Sequence, residues 1–404
     1  MVSKKSIELV RELYKKDIEK FDYDFKRFDW QEYLELRPDL KKNWNGPVRA
    51  RFHYYLLQRF DKFIKKNYLN KKFDPNKPTL TIYGGGMGRG LFSLLNEFLS
   101  YLYLNNKKKN PEIVFPLWVR DNCYWDSEKY HGKVNVFEYY FKLKSNKKIE
   151  DLIPVLKDKT MSLEKLKEYL NKNPSLQNLY NIKFLNHYHD SSKNNVLKHP
   201  SSDFKIEDFI EIRSFVLKKV EQFKKRRFKG KNIIGVHIRG PGHDKVIKED
   251  LIKLGYNPKL ENFDRSDRGL NTVPFKEYFN LINYFLKKKP DSKIFVASDD
   301  SRVIKKIKEK YSNKVIEFPA FRLEGGETHL FKQNNNTLKI SGAKLGEEVL
   351  IETLLFANCN TLIHQKSNIA NFIKNWNPNM VTINALKPKE YPKDAKNSTL
   401  KFKI

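Results

Sequence analysis

Ile233-Ile234-Gly235-Val236-His237-Ile238-Arg239-Gly240-Pro241-Gly242-His243-Asp244-Lys245-Val246-Ile247-Lys248-Glu249 opens with six residues that are apolar apart from Gly235 and His237, and then breaks at glycine and proline. A short apolar run without strict alternation predicts a strand covered on both faces, the habit of parallel sheets. The polar residues then fall at the C-terminal end of that strand, where open α/β sheets bind ligands. His237 and Arg239, two apart, point the same way on an extended backbone.

The same grammar continues downstream. Strands are expected at 294–297, 315–318, 361–364 and 380–383. Helices are expected at 275–286, 302–311, 347–356 and 368–374. Upstream, a strand at 80–83 runs into Gly84-Gly85-Gly86-Met87-Gly88-Arg89-Gly90 and a helix at 91–104. A second strand follows at 112–118, short helices and Lys/Asn-rich loops at 134–200, and one amphipathic helix at 206–228. Alternating strands and helices predict an α/β fold with parallel sheets. The division expected is a helical region 1–70, an α/β domain 78–228, a second α/β domain 229–385 and a basic tail 386–404. Ligand is expected between the two α/β domains. The stretch 319–342, with Gly325-Gly326 and Asn334-Asn335-Asn336, is long enough to expect a lid or a disordered loop.

Composition narrows the class. The chain has 404 residues, 39% hydrophobic and 14% aromatic, which excludes wholesale disorder. No apolar run reaches the roughly 18 residues of a membrane helix. The N-terminal MVSKKSIELVREL is charged and lacks an apolar core, so an export signal is not expected and a cytoplasmic location is, for a viral protein the host cytoplasm. Two cysteines, Cys123 and Cys359, form neither a disulfide framework nor a zinc cage; a single bridge stays open. The net charge of +31 suggests a nucleic-acid or polyanion binder. Yet 63 of the 79 basic residues are Lys and 16 are Arg, whereas specific base readout leans on Arg. General Lys/Asn enrichment explains the charge as well, and no specific nucleic acid is expected.

Four clusters carry candidate chemistry. The glycines 84–86 open a helix and either cradle an anion or make a tight turn; their spacing fits neither a dinucleotide fingerprint nor a P-loop. Arg239 can fork onto a diphosphate, with Asp244 and Glu249 supplying carboxylates nearby. Asp299 and Asp300, at a strand end, can bind a metal, accept hydrogen bonds from a sugar or ribose, or cap the helix at 302. Ser367 and Asn368, again between strand and helix, suit a phosphate or a plain cap.

Taken in order, the Gly-rich loop, His237-x-Arg239, Ala297-Ser298-Asp299-Asp300, Gly342-x-x-x-Gly346-Glu347 and Ser367-Asn368 resemble the GDP-fucose-dependent fucosyltransferase superfamily, and most of all its nodulation-type and N-glycan-core α-1,6 enzymes. The resemblance spans roughly residues 80–385. It implies a GT-B fold of two Rossmann-like domains facing a cleft, donor in the C-terminal one, inversion at the anomeric carbon and no metal or other cofactor. It implies GDP-fucose as donor and a glycan or glycoconjugate as acceptor. By the same likeness Arg239 contacts the β-phosphate, His237 lies near the guanine, Glu249 is the general base, Glu352 is an acidic nucleotide contact, and Ser367 and Asn368 hold phosphate. Asp299 and Asp300 match the family's aspartate pair, and Asp244 is a partner for Arg239 or His237. Gly240 stands where the family has a second arginine, which leaves another nucleotide-diphosphate sugar as an alternative donor. A non-catalytic polyanion binder is the alternative of a different class. Near the N-terminus, Phe28-Asp29-Trp30-Gln31-Glu32-Tyr33-Leu34, followed by Pro38-Asp39-Leu40, resembles a small helical module attached to glycosyltransferases of bacteria and giant viruses. A small helical cap packed by Trp30 and Tyr33 is the plainer reading of the same residues.

Overall fold

The computed structural model describes residues 74, 76–85, 89–118, 122–144, 163–186, 204–239, 275–324, 339–365 and 367–385. The chain divides into two compact units, Met1–Asp74 and Pro75–Ile404, and the second holds all the described elements. The helical region 1–70, with its module resemblance, and the tail 386–404 lie outside the described residues.

Five parallel strands form the larger sheet: β6 (Ile233–His237), β7 (Lys293–Ala297), β8 (Val315–Ile316), β9 (Thr361–His364) and β10 (Val381–Asn384). Their order is β10-β9-β6-β7-β8, with Ile234 opposite both Ile294 and Thr361. Every residue of β6 and β9 is buried, which is why these strands read as continuous apolar runs rather than alternating ones. One face is covered by α6 (Phe275–Lys288) through Tyr278, Ile282 and Phe285, and by α7 (Ser301–Tyr311) through Val303, Ile304 and Ile307. The spacing of three and four residues is the helical stripe that covers a sheet. The other face packs on α8 (Gly342–Phe356) and α9 (Asn368–Trp376).

The smaller sheet is also parallel, in the order β2-β1-β4: β1 (Thr79–Gly84), β2 (Ile113–Leu117) and β4 (Asn181–Asn186). Its main helix is α1 (Leu91–Asn106). The smaller sheet falls within 79–186 and the larger within 233–384, on either side of position 228. The interior of the smaller sheet and the α8/α9 face of the larger one join into a continuous hydrophobic core, in which Phe92 of α1 packs on Phe372 of α9 with ring centroids 4.8 Å apart, while the α6/α7 face holds a second cluster.

Three expectations are corrected. Residues 206–228 are not one helix. They form a single 3-10 turn (Ile206–Asp208), a short strand β5 (Ile210–Ile212) and helix α5 (Ser214–Arg227). Ile210-Glu211-Ile212 alternates buried, exposed, buried, and pairs antiparallel with β3 (Phe141–Leu143), which follows the short helix α2 (Val136–Tyr140). Second, the region 134–200 contributes a whole strand, β4, beyond the helices α3 (Leu163–Lys172) and α4 (Pro174–Leu179). Its sequence Asn-Ile-Lys-Phe-Leu-Asn is too polar to announce an edge strand. Third, α8 starts at Gly342 rather than 347, because its glycines serve close packing and not a turn. Cys123 and Cys359 are both buried free thiols, so neither is bridged. Among the described residues no helix is long and apolar enough to cross a membrane.

Candidate active site

In the larger sheet the chain leaves β6 toward β7 and β8, then returns to β9 on the opposite side of β6. That reversal opens a crevice at the C-terminal ends of β6 and β9, where no crossover covers the sheet edge. A cavity of about 450 Å³ lies there, its walls completed by the start of α1. His237, Arg239, Asp299, Glu352, Ser367 and Asn368 all line it. Residues scattered over 130 positions of sequence are thus brought together by one strand-order switch.

Arg239 follows β6 directly. Its backbone N–H donates to Gln365 Oε1 at 3.3 Å, and the Tyr278 hydroxyl donates to the same oxygen at 2.9 Å. The strand end is therefore pinned on both sides while the guanidinium lines the cavity. Among the described residues Arg239 has no ion-pair partner. Burial pushes the His237 imidazole down to about 4, with Asp299 opposing and Arg239 assisting, so His237 is neutral at pH 7. The Ser367 hydroxyl accepts from the Ala370 N–H at 3.1 Å and lies 3.5 Å from His237 Nδ1. Ser367 is thus both the cap of α9 and a wall of the cavity.

A second group faces the cavity from α8 and the segment before it. Glu348 Oε2 accepts from the Phe321 N–H at 2.8 Å, and Glu352 forms a salt bridge with Arg322. Arg322 Nη1 also donates to the Ala320 carbonyl at 2.7 Å. These bonds join residues 320–322, the first part of the expected lid, to α8; 325–338 lie outside the described residues. Burial pushes Glu352 up to about 8, with Arg322 opposing and Glu348 adding to the rise.

The remaining expected residues fall elsewhere. Asp300 is fully buried, accepts from the Arg302 N–H at 2.9 Å and pairs with the Arg302 guanidinium at 2.7 Å. It caps α7 and does not line the cavity. Gly84 and Gly85 do not line it either. A Cβ on Gly85 would meet Trp118 Cδ1 at 2.7 Å, so this glycine allows the strand end to approach an indole. Gly86, Asp244 and Glu249 lie outside the described residues. The cavity also has walls that the motifs did not indicate. Arg89, at the end of the glycine run, is neutralised by Glu97 and bonds Ser93 Oγ through Nε at 2.9 Å. The Tyr124 hydroxyl accepts from the Leu91 N–H at 3.0 Å. Only the Gly88-Arg89-Gly90 context gave any signal for the first, and none existed for Tyr124 or Glu348. Among the described residues no group of three or more His, Cys, Asp or Glu comes together at metal-ligating spacing.

Helix α8 ties the two sheets at the cavity. Its first N–H groups, Gly342 and Ala343, donate to the two oxygens of Asp126 at 2.8 and 3.0 Å, a carboxylate at a helix N-terminus. The Tyr140 hydroxyl donates to the Ala343 carbonyl at 2.7 Å. A Cβ on Gly342 would lie 2.6 Å from the Cys123 carbonyl oxygen and 2.8 Å from the Tyr124 carbonyl carbon, both backbone atoms. Gly342→Ala therefore has no side chain to push aside. Overpacking of this kind costs about 1–3 kcal/mol, and thermal melting should show it as a clear drop in midpoint. An unchanged midpoint would mean that α8 can back away from the smaller sheet at no cost.

No protein-family model and no curated protein sequence matches the chain. Among solved structures, it is similar to NodZ alpha-1,6-fucosyltransferase co-crystallized with GDP, at 15% identity and a TM-score of 0.42 over 76% of this chain and 95% of that one. It is similar to fucosyltransferase NodZ from Bradyrhizobium, at 14% identity and a TM-score of 0.42 over 76% and 96%. It is also similar to POFUT1 in complex with GDP-fucose, at 13% identity and a TM-score of 0.36 over 76% and 95%.

Proposed function

We propose that the chain is an inverting glycosyltransferase that moves L-fucose from GDP-fucose to a glycan hydroxyl. One observation carries this reading: His237, Arg239, Asp299, Glu352, Ser367 and Asn368, from four separate segments, line a single cavity at the sheet's switch point. Its volume, about 450 Å³, is in the range of pockets that enclose a small ligand.

The reaction proposed is an in-line displacement. The acceptor oxygen forms a bond to the anomeric carbon as the bond from that carbon to the diphosphate oxygen breaks, its electron pair leaving with GDP. Arg239 and the N–H groups at the start of α9 stabilise the charge that develops on the diphosphate. Neutral His237 donates or accepts a hydrogen bond without adding charge. Glu249 takes the acceptor proton. The positive charge needed by the leaving group comes from Arg239 and α9, so the reaction proposed uses no divalent cation.

Isothermal calorimetry with GDP, UDP and a single-stranded oligonucleotide tests the class. GDP is expected to bind best. Transfer or hydrolysis assays over a panel of nucleotide sugars test the donor, and activity is expected to survive excess chelator. Turnover with another sugar nucleotide alone would change the donor. Loss of activity in chelator, restored by Mn²⁺ or Mg²⁺, would make the enzyme metal-dependent. Tight oligonucleotide binding without nucleotide binding would replace the enzyme with a polyanion binder.

A further inference from the structure

In a parallel sheet every helix that precedes a strand ends at the same edge. Here α5, α6 and α7 all end at the N-terminal edge of the larger sheet, opposite the cavity. The segments 221–232, 287–293 and 308–317 are contiguous in space there. Lys289 Nζ lies 3.5 Å from Asn232 Oδ1, Asn232 Nδ2 donates to Ser292 Oγ at 2.8 Å, and Lys293 Nζ reaches the Asn313 carbonyl at 3.1 Å. These 29 residues hold thirteen Lys and Arg against four Asp and Glu, an excess of nine. The 220 described residues together hold 39 against 22, an excess of seventeen. Just over half of the excess charge thus sits on about an eighth of the residues, which general lysine enrichment does not produce.

Helix C-termini attract cations, and part of the cluster serves that purpose. Lys231 donates to the Arg227 carbonyl at 3.1 Å and Lys314 to the Pro290 carbonyl at 2.5 Å. Lys224 and Lys308 pair with Glu221 and Glu317. Lys225, Arg227, Lys229 and Lys287 are exposed and have neither an ion pair nor a side-chain hydrogen bond among the described residues. They are surplus to the fold.

We infer that this edge is a docking surface for an anionic phospholipid membrane. Eleven of its thirteen cations are Lys, suited to a diffuse anionic plane rather than to base edges, which favour the Arg fork. Single-strand binding needs ring faces for stacking, but the Tyr284 and Phe279 rings are already covered by Lys288 and Lys310, at 4.5 and 4.6 Å. The surface lies a strand's length, roughly 17 Å, from the cavity, so docking leaves the cavity mouth open.

Flotation with phosphatidylcholine vesicles, with and without roughly a third phosphatidylserine, tests this. The chain is expected to float only with phosphatidylserine, and to be released as salt shortens the Debye length below about 8 Å. The quadruple variant Lys225→Glu, Arg227→Glu, Lys229→Glu, Lys287→Glu is expected to lose vesicle binding at least about tenfold, since four contacts change sign. A control with the same change of charge elsewhere, Lys142→Glu, Lys144→Glu, Lys172→Glu, Lys205→Glu, is expected to keep it. Thermal melting reports folding of both, and the corresponding Gln quadruple gives the same comparison if reversed charges cost stability. Equal loss in the control would make the attraction a property of total charge and overturn the docking surface. So would a wild-type chain that ignores phosphatidylserine, or a face variant that loses oligonucleotide binding while vesicle binding persists.

Discussion

Arg239→Ala is expected to weaken GDP binding roughly ten- to a hundredfold, since hydrogen bonds to a charged group are worth about 1.5–3 kcal/mol. The argument rests on placement. The strand end before Arg239 is held by Gln365 and, through it, by Tyr278, so the loss of the side chain does not move the backbone. Among the described residues no second cation in the cavity compensates, because Arg89 is already paired with Glu97. Arg239→Lys should fall between, as an ammonium keeps the charge and loses the planar fork. Calorimetry with GDP on the folded variants decides. Unchanged affinity in Arg239→Ala would remove the diphosphate from this part of the cavity.

Glu249→Gln is expected to lower turnover about a hundredfold or more while GDP binding stays near normal, because general-base catalysis contributes about 10²–10⁴. Gln keeps the shape and hydrogen-bonding capacity of Glu and cannot take a proton. Glu352 is a poorer candidate for the same role because its carboxyl is already held by Arg322. Single-turnover kinetics separates chemistry from binding. Full turnover in Glu249→Gln, with a large loss in Asp244→Asn, would transfer the base to Asp244.

The five parallel strands of the larger sheet are legible in the sequence. Strands such as β6 and β9 are covered on both faces, and that burial forces the apolar runs that announce them. The site residues at strand ends were legible for a related reason, since a polar group straight after a buried strand has few places to go. Strand β4 and the β3–β5 pair were not legible. They lie at sheet edges or in a two-stranded ribbon, where half the positions face water and Lys, Asn and Glu are tolerated. Which of the polar residues share a cavity was decided by the order β10-β9-β6-β7-β8 alone. Sequence cannot give that order, because the strand neighbouring β6 on one side arrives more than 120 residues later. The same holds for Asp299 and Asp300, adjacent in the chain and equivalent on paper. The backbone turn into α7 sends Asp300 inward to cap the helix and hold Arg302, and leaves Asp299 at the cavity, a division that only the packed helix imposes.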